Sequence, residues 1–408
     1  MALNAGTIWE VRATGSQANG GGFYNRTPGT SVDYSQQDAA QLTVTDLATD
    51  GAGTGLSSAT GGFTGAMVGN ISQIAPGSDL TAGWYEITAY TDTHNVTIDR
   101  SAGASKSGGT GSVGGAFLLG GTLDSDFVSA LVAGNHVWVK LGSYTLGETV
   151  TGKDGGATVP ICFDGYKTTR DDAPAGADRP AIDCGEYILN FCDNNLVRRF
   201  IFTGTAADVV TIGGGGLVVY CKSTNTSGTN NHHAISSGSS ASARILMCEV
   251  ISTNGYGIYG TGSSAFVVMC YAHDSAYGIR CGGGIIGCIA DTCATAGIVT
   301  GTCILNNTIY NCGVGLSMLN ATYAQILNNI IHTCTTGLTA SQASPLYIVD
   351  YNCWYNNTDN TDSNTTIGAH AVEADPKLND PDNGDFSLQA GSPCFGTGIQ
   401  PNSTIGIV

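Results

Sequence analysis

Basic residues are scarce in this chain. Fifteen lysines and arginines stand against 32 aspartates and glutamates, a formal net charge of −17, and such a chain repels a phosphate backbone. Nucleic acid is therefore not expected as a partner. Charged residues of both signs make up only 12%, so Ser, Thr, Asn and Gly must cover the surface. Proline is scarce too, ten in 408 residues, while 59 glycines follow no Gly-X-Y period. Collagen and proline-rich disorder both fail, and turn-dense all-β structure remains. No stretch is long and apolar enough to span a membrane. The opening Met1-Ala2-Leu3-Asn4-Ala5-Gly6 lacks a basic region and an apolar run, so we expect synthesis in a cytoplasm without a secretory leader. Sequons such as Asn306-Asn307-Thr308 and Asn320-Ala321-Thr322 arise by chance in so Asn- and Thr-rich a chain.

Cysteine is absent before Cys162, and all fourteen lie at or beyond it. The reason is a repeat. Met247-Cys248-Glu249, Met269-Cys270-Tyr271, Gly287-Cys288-Ile289, Asn306-Asn307-Thr308 and Asn328-Asn329-Ile330 align in one column, with centres spaced by 22, 18, 19 and 22. Five residues on, a second column reads Thr253, Ser275, Cys293, Cys312 and Cys334. A third holds Gly257-Ile258, Gly278-Ile279, Gly297-Ile298, Gly315-Leu316 and Gly337-Leu338. A period near twenty, with alternating stretches such as Ile304 to Ile309, predicts short strands that bury their apolar side only by stacking turn on turn. Stacked strands lie about 4.8 Å apart, so each inward position becomes a ladder of like residues. The cysteines are then small buried rungs, although adjacent rungs also stand within disulfide range. The repeats are clearest between Ala243 and Pro345.

Upstream, Leu123, Phe127 and Leu131 recur at helical spacing, Thr122 can cap and Gly134-Asn135 can stop the turn, which predicts a short amphipathic helix plugging the solenoid. Between Tyr24 and Gly121 a compact block, Ala66 to Arg100, alternates like the strands of a small β-meander or barrel. The expected organisation is an opening strand and attachment segment over 1–23, an insertion over 24–121, a capping helix over 122–135, a parallel β-helix over 136–358 and a closing segment over 359–408.

Several of these residues resemble the pectin-lyase-like right-handed β-helix proteins, which include polysaccharide lyases, hydrolases and tailed-phage spikes and fibres. Trp9-Glu10-Val11-Arg12-Ala13-Thr14-Gly15-Ser16 is similar to their first strand and turn. His136-Val137-Trp138-Val139-Lys140-Leu141-Gly142-Ser143-Tyr144 is similar to the strand after the helix. Ala374-Asp375-Pro376-Lys377-Leu378, Gly384-Asp385-Phe386-Ser387-Leu388 and Gly391-Ser392-Pro393 are similar to their closing segment. The resemblance implies an all-β, single-stranded right-handed parallel β-helix. The opening Ile8 to Phe23, with a block like Ala66 to Arg100, also resembles phage structural proteins. It implies a spike, fibre or head-decoration subunit of the virion that meets other virion proteins and forms a homo-oligomer, a trimer above all.

Enzymatic alternatives rest on carboxylates. A lyase resembling its relatives would gather acids, often around Ca²⁺, near a basic residue, and Asp183, Glu186 and Asp193 with Arg198 and Arg199 are the candidates; the aspartates can equally cap turns. A hydrolase would place paired carboxylates on adjacent rungs, and Glu249, Asp274 and Asp291 sit in neighbouring repeats but in different columns. His232-His233 and His273-Asp274 lack zinc-like spacing and read as surface loops. No metal or cofactor is expected. Tyr256 and Tyr277, flanked by Tyr259 and Arg280, form a candidate glycan platform or, more simply, cover the flank. A non-catalytic adhesin is the third class.

Overall fold

The computed structural model describes residues 3–238, 242–318, 323–341, 346–399 and 404–406. The sequon at Asn320 and the repeat boundary at Pro345 lie outside these. The chain divides into two compact units, Met1–Asp183 with Asn190–Ile201, and Cys184–Leu189 with Phe202–Val408.

In the first unit, Ile8–Val11 pairs antiparallel with Gly22–Phe23 and parallel with His136–Lys140. His136–Lys140 continues in parallel to Ile161–Tyr166, and that strand to Asn195–Arg198. Between Phe23 and His136, six antiparallel strands close into a barrel in the order Leu42–Thr49, Gly55–Ser58, Asn95–Ile98, Gly83–Asp92, Ile71–Ile74 and Gly109–Val113. Leu47, Leu56, Phe63, Ile74 and Ile87 fill it. Three of its strands lie outside the block expected from alternation. Gly109–Val113 reads as a spacer, yet a Cβ on Gly111 would stand 2.7 Å from both the Gln73 carbonyl oxygen and Leu47 Cδ1. Glycine is there because the barrel leaves no room.

The expected helix is present at Asp124–Ala130, with Phe127 stacked on Phe117 at 4.1 Å and edge-on to Trp9 of the opening strand at 5.3 Å. Thr122 does not cap it, contrary to expectation. Leu123 holds the N-cap position, and the Asp124 carboxylate accepts from the N–H groups of Gly120 (2.9 Å) and Gly121 (3.2 Å) and from Gln17 Nε2 (2.9 Å).

The second unit is a stack of turns, each with three strands. The first face runs from Leu217–Val219 to Tyr347–Asp350, the second from Lys222–Asn225 to Cys353–Tyr355, and the third from Asp208–Ile212 to Asp359–Thr361. Every strand pairs in parallel with its counterpart one turn on; Ile258, Ile279, Ile298, Leu316 and Leu338 form one such register line. Parallel β-solenoid rungs occur in both units, about ten turns counted over the two.

The corner from first to second face takes two residues at every turn of this unit. Its first residue is left-handed, with φ +55° at Tyr220, +52° at Met247, +53° at Met269, +62° at Gly287, +56° at Asn306, +59° at Asn328 and +56° at Tyr351. Its second points inward, so Cys221, Cys248, Cys270, Cys288, Asn307, Asn329 and Asn352 form a buried ladder. Asn307 donates through Nδ2 to Asn329 Oδ1 at 2.9 Å, and Asn329 in turn to Asn352 Oδ1 at 3.0 Å. In the second sequence column Thr253 is misplaced. Thr253 is exposed, and buried Ser252 takes the rung, donating its N–H to Ser275 Oγ at 2.9 Å. The uneven period comes from the return to the first face, which takes five residues between Gly260 and Phe266 but two between Cys281 and Gly284.

Candidate functional site

Strand alternation turns every second residue of the second face outward. One outward column runs Lys222, Glu249, Tyr271, Ile289 and Thr308, and the next runs His273, Asp291, Tyr310, His332 and Tyr355. This brings together residues that the sequence columns held apart. Glu249 Oε1 accepts from Lys222 Nζ at 2.6 Å and lies 3.3 Å from His273 Nε2, while His273 Nδ1 lies 2.8 Å from Asp274 Oδ2. His273 is therefore a strand residue between two carboxylates, where a loop residue was expected. With both ring nitrogens facing acceptors, it sits best as the doubly donating imidazolium. Asp291, one rung on, accepts from Thr292 Oγ1 at 2.7 Å and Tyr271 OH at 3.1 Å. Towards the chain end the face is covered: Phe386, from the closing hairpin, packs edge-on against Tyr271 and Tyr310, and Tyr310 OH donates to Asp382 at 2.7 Å.

The two strand carboxylates are driven in opposite directions. The hydrogen bond to His273 outweighs burial and, with Lys222, holds Glu249 down to about 2. Burial raises Asp291, and the Asp274 charge adds to it against the bonds from Thr292 and Tyr271. For His273, burial works against the charge, but its bonds to Glu249 and Asp274 prevail and its pKa is raised. Glu249 thus contributes stability above its ordinary 4.5 and loses it as pH falls towards 2. His273 contributes fully below its ordinary 6.5 and loses that contribution as pH rises through its folded value. The cluster should hold best between about pH 4.5 and 6.5. Melting temperatures across pH should fall on both sides of this window for the parent, and flatten on the alkaline side for His273→Asn. An identical alkaline limb in the two proteins would show that His273 carries no charge there.

On the third face, Tyr256 and Tyr277 are register partners and stack at 4.5 Å. Tyr259 stacks on His233 at 4.3 Å, and the Arg280 guanidinium lies over the Tyr259 ring at 5.2 Å and the Tyr256 ring at 5.8 Å. The four glycan candidates do meet, but Tyr256 is only 8% exposed, so the open surface is Tyr259, Tyr277 and Arg280. His233 is buried as well, correcting its reading as a loop residue. Its Nδ1 accepts the Tyr256 N–H at 3.1 Å, and burial together with His232 and Arg280 lowers its pKa to about 4. Among the described residues, no carboxylate pairs with Arg280.

The lyase grouping is not assembled around its arginines. Asp183, Glu186 and Asp193 are each exposed, while Arg198 and Arg199 both bind a carboxylate the sequence reading passed over. Asp164, fully buried, accepts from Arg198 Nε at 2.5 Å and Arg199 Nη1 at 3.0 Å. It stands opposite Arg198 on the neighbouring strand, so register over 34 residues was the missing signal. Among the described residues, no group of three or more His, Cys, Asp or Glu side chains is arranged to hold a metal.

No family model and no curated protein matches this sequence. Among solved structures the chain is similar to pectate lyase Pel9A, with 13% identity, 68% of this chain and 88% of that one covered, and a TM-score of 0.37. It is similar to ORF18 of Geobacillus virus E2 at 12% identity, over 58% of this chain and 52% of that one, with a TM-score of 0.36. A complex of XylC with xylose gives 8% identity, 98% coverage of both chains and a TM-score of 0.38. At such identities and TM-scores nothing further is drawn from them, and the fold is read from the chain's own parallel strand order, that of a parallel β-solenoid.

Proposed function

We propose that this pectin-lyase-like β-helix is a structural subunit at the surface of a tailed-phage particle, assembled in the host cytoplasm beside other virion proteins, and that it holds host-surface glycan without cleaving it. The observation that carries the glycan part is the third-face nest. Tyr259 and Tyr277 offer ring area at low entropy cost, and Arg280 adds a cation without a carboxylate partner among the described residues. The low charge density and the resemblance of Ile8 to Phe23 to phage structural proteins support the particle. Pure protein should bind capsular or lipopolysaccharide fragments of the host in calorimetry and release no new reducing ends. Arg280→Ala and Tyr259→Ala should each weaken binding about tenfold, roughly 1.4 kcal/mol. Binding that survives both substitutions together would move the site elsewhere, and absence of the chain from mass spectra of purified particles would overturn the structural role.

A second reading is favoured by one observation, the opposite pKa displacements of Glu249 and Asp291 on nearby rungs. Carboxyls pushed apart in this way can serve as base and acid in glycoside hydrolysis. Release of oligosaccharide abolished by Glu249→Gln and by Asp291→Asn would establish it in place of the first.

A further inference from the structure

We propose that Cys353 and Cys394 are an oxidation site at which hydrogen peroxide joins the two thiols into a disulfide, fastening the closing segment to the last turns of the solenoid. Neither residue is a rung of the inward ladder. Cys353 opens the last strand of the second face, in the outward column that runs Tyr271, Ile289, Thr308, Ile330 and Cys353. An outward position on an open face meets water. Thr308, Ile330 and Cys353 are nevertheless fully buried, whereas Tyr271 and Ile289 are partly exposed. What covers the first three is the closing segment.

Cys394 belongs to that cover and packs in one cluster with Ile330, Cys353, Leu378, Phe386 and Ile405. Backbone bonds bring it to Cys353. The Cys394 carbonyl accepts the Ile405 N–H at 2.9 Å, and the Gly406 N–H donates to the Asn328 carbonyl at 2.6 Å. Next to it, the Asn329 carbonyl accepts the Cys353 N–H at 2.8 Å, and Cys353 is the register partner of Ile330. The two thiols stand within hydrogen-bonding reach of each other, and neither side chain is exposed. A recurring column explains an inward cysteine, since a small apolar residue fills a rung. Two thiols that meet from an outward strand position and a non-repeating cover have no such explanation.

Reactivity also separates this pair. The hydrogen bond from the Cys353 thiol holds Cys394 below the usual thiol range against burial, with Ser392 assisting. Burial pushes Cys162, Cys192 and Cys303 up, and Cys281 to about 11. The thiolate is the nucleophile, so Cys394 reacts first. Its sulfur attacks one oxygen of the peroxide, the O–O bond breaks, and the departing hydroxide takes up the proton that Cys394 released, leaving a sulfenic acid and one water. Cys353 Sγ then attacks Cys394 Sγ. The S–O bond breaks, and the hydroxyl leaves with the Cys353 proton as a second water. Two thiols are oxidised by two electrons, and one peroxide is reduced to two waters. Access comes through the cover. Its hairpin is a two-stranded sheet, Leu378–Asp380 on Asp385–Leu388, and such a pair is marginal by itself, so it opens more readily than the stacked turns.

The reduced full chain, freed of reductant and treated with a few equivalents of hydrogen peroxide, should show two fewer alkylated cysteines after unfolding than the fourteen of the untreated chain. The intact mass should fall by two hydrogens, and peptide mapping should recover Cys353 linked to Cys394. Thermal unfolding should shift upward by several degrees, because the link restricts the unfolded chain. In Cys353→Ser the reaction should stop at the Cys394 sulfenic acid, which dimedone traps, with no upward shift. Should that variant fail to fold, the peptide map of the parent decides alone. Fourteen thiols that survive peroxide overturn the inference, and so does a link that joins other cysteines.

Discussion

Asn329→Leu should lower the unfolding free energy by about 4 kcal/mol, although the two side chains are close in size. Asn329 is fully buried and its amide is used on both sides. Oδ1 accepts the Asn307 backbone N–H at 3.0 Å and Asn307 Nδ2 at 2.9 Å; Nδ2 donates to the carbonyls of Ile304 (3.0 Å) and Leu327 (3.1 Å) and to Asn352 Oδ1. Leucine leaves the Asn307 backbone N–H without its acceptor in a dry interior, at about 1–3 kcal/mol. It also removes one of two partners from Asn307 Nδ2, which keeps the Ile285 carbonyl, from the Leu327 carbonyl, which keeps the Asn306 N–H, and from Asn352 Oδ1, which keeps the Asn329 N–H. Chemical denaturation measures the total. Hydrogen exchange at Asn307, whose amide loses its acceptor, locates it. A loss below about 1 kcal/mol would show that water replaces the amide and that the ladder is not what holds these turns in register.

The second large effect is expected in the other unit. Glu10 is fully buried, with Arg12 Nε on Oε1 at 2.7 Å, Arg170 Nε on Oε2 at 2.9 Å, and the Tyr166 hydroxyl donating to Oε1. Glu10→Ala removes the one anion these donors share and strands cationic groups in a largely water-free site. About 3–5 kcal/mol should be lost, as for other broken buried pairs. Arg170 retains Asp33 at 3.0 Å and Arg12 retains Asp38 at 3.2 Å, which sets the lower end of that range. Glu10→Gln should lose less, because the amide oxygen still accepts. Differential scanning calorimetry separates the two variants, and equal destabilisation would mean that packing, not charge, makes Glu10 necessary.

These two residues also mark where the sequence could and could not be read. The Asn329 ladder was legible because its members recur at a nearly fixed period, and a period is a statement about neighbours in space. The same holds for the Gly-aliphatic column. Glu10 with Arg170, and Asp164 with Arg198, recur nowhere; their pairing follows from register among irregular early turns, which local pattern does not encode. The barrel strands at Gly55–Ser58 and Gly109–Val113 escaped for a related reason, since close packing selects glycine and serine, the residues that otherwise signal a linker. At the candidate site, Glu249 and Asp291 were found but His273 was set aside as a surface-loop residue, because no Cys or His pair stands at zinc-like spacing. The geometry shows a strand ending in a left-handed residue, Asp274 at φ +49°, which swings that carboxylate back onto the imidazole.

The two-residue corner between first and second faces has a consequence for how such a chain can change. Because its first residue is left-handed and its second fills the interior at every turn, nothing can be added there without pushing a rung out of the stack. The return to the first face already varies from two residues to six. Foreign loops grafted at that return would therefore be displayed in rows a few ångströms apart, making the solenoid a ruler on which ligands can be mounted at chosen intervals.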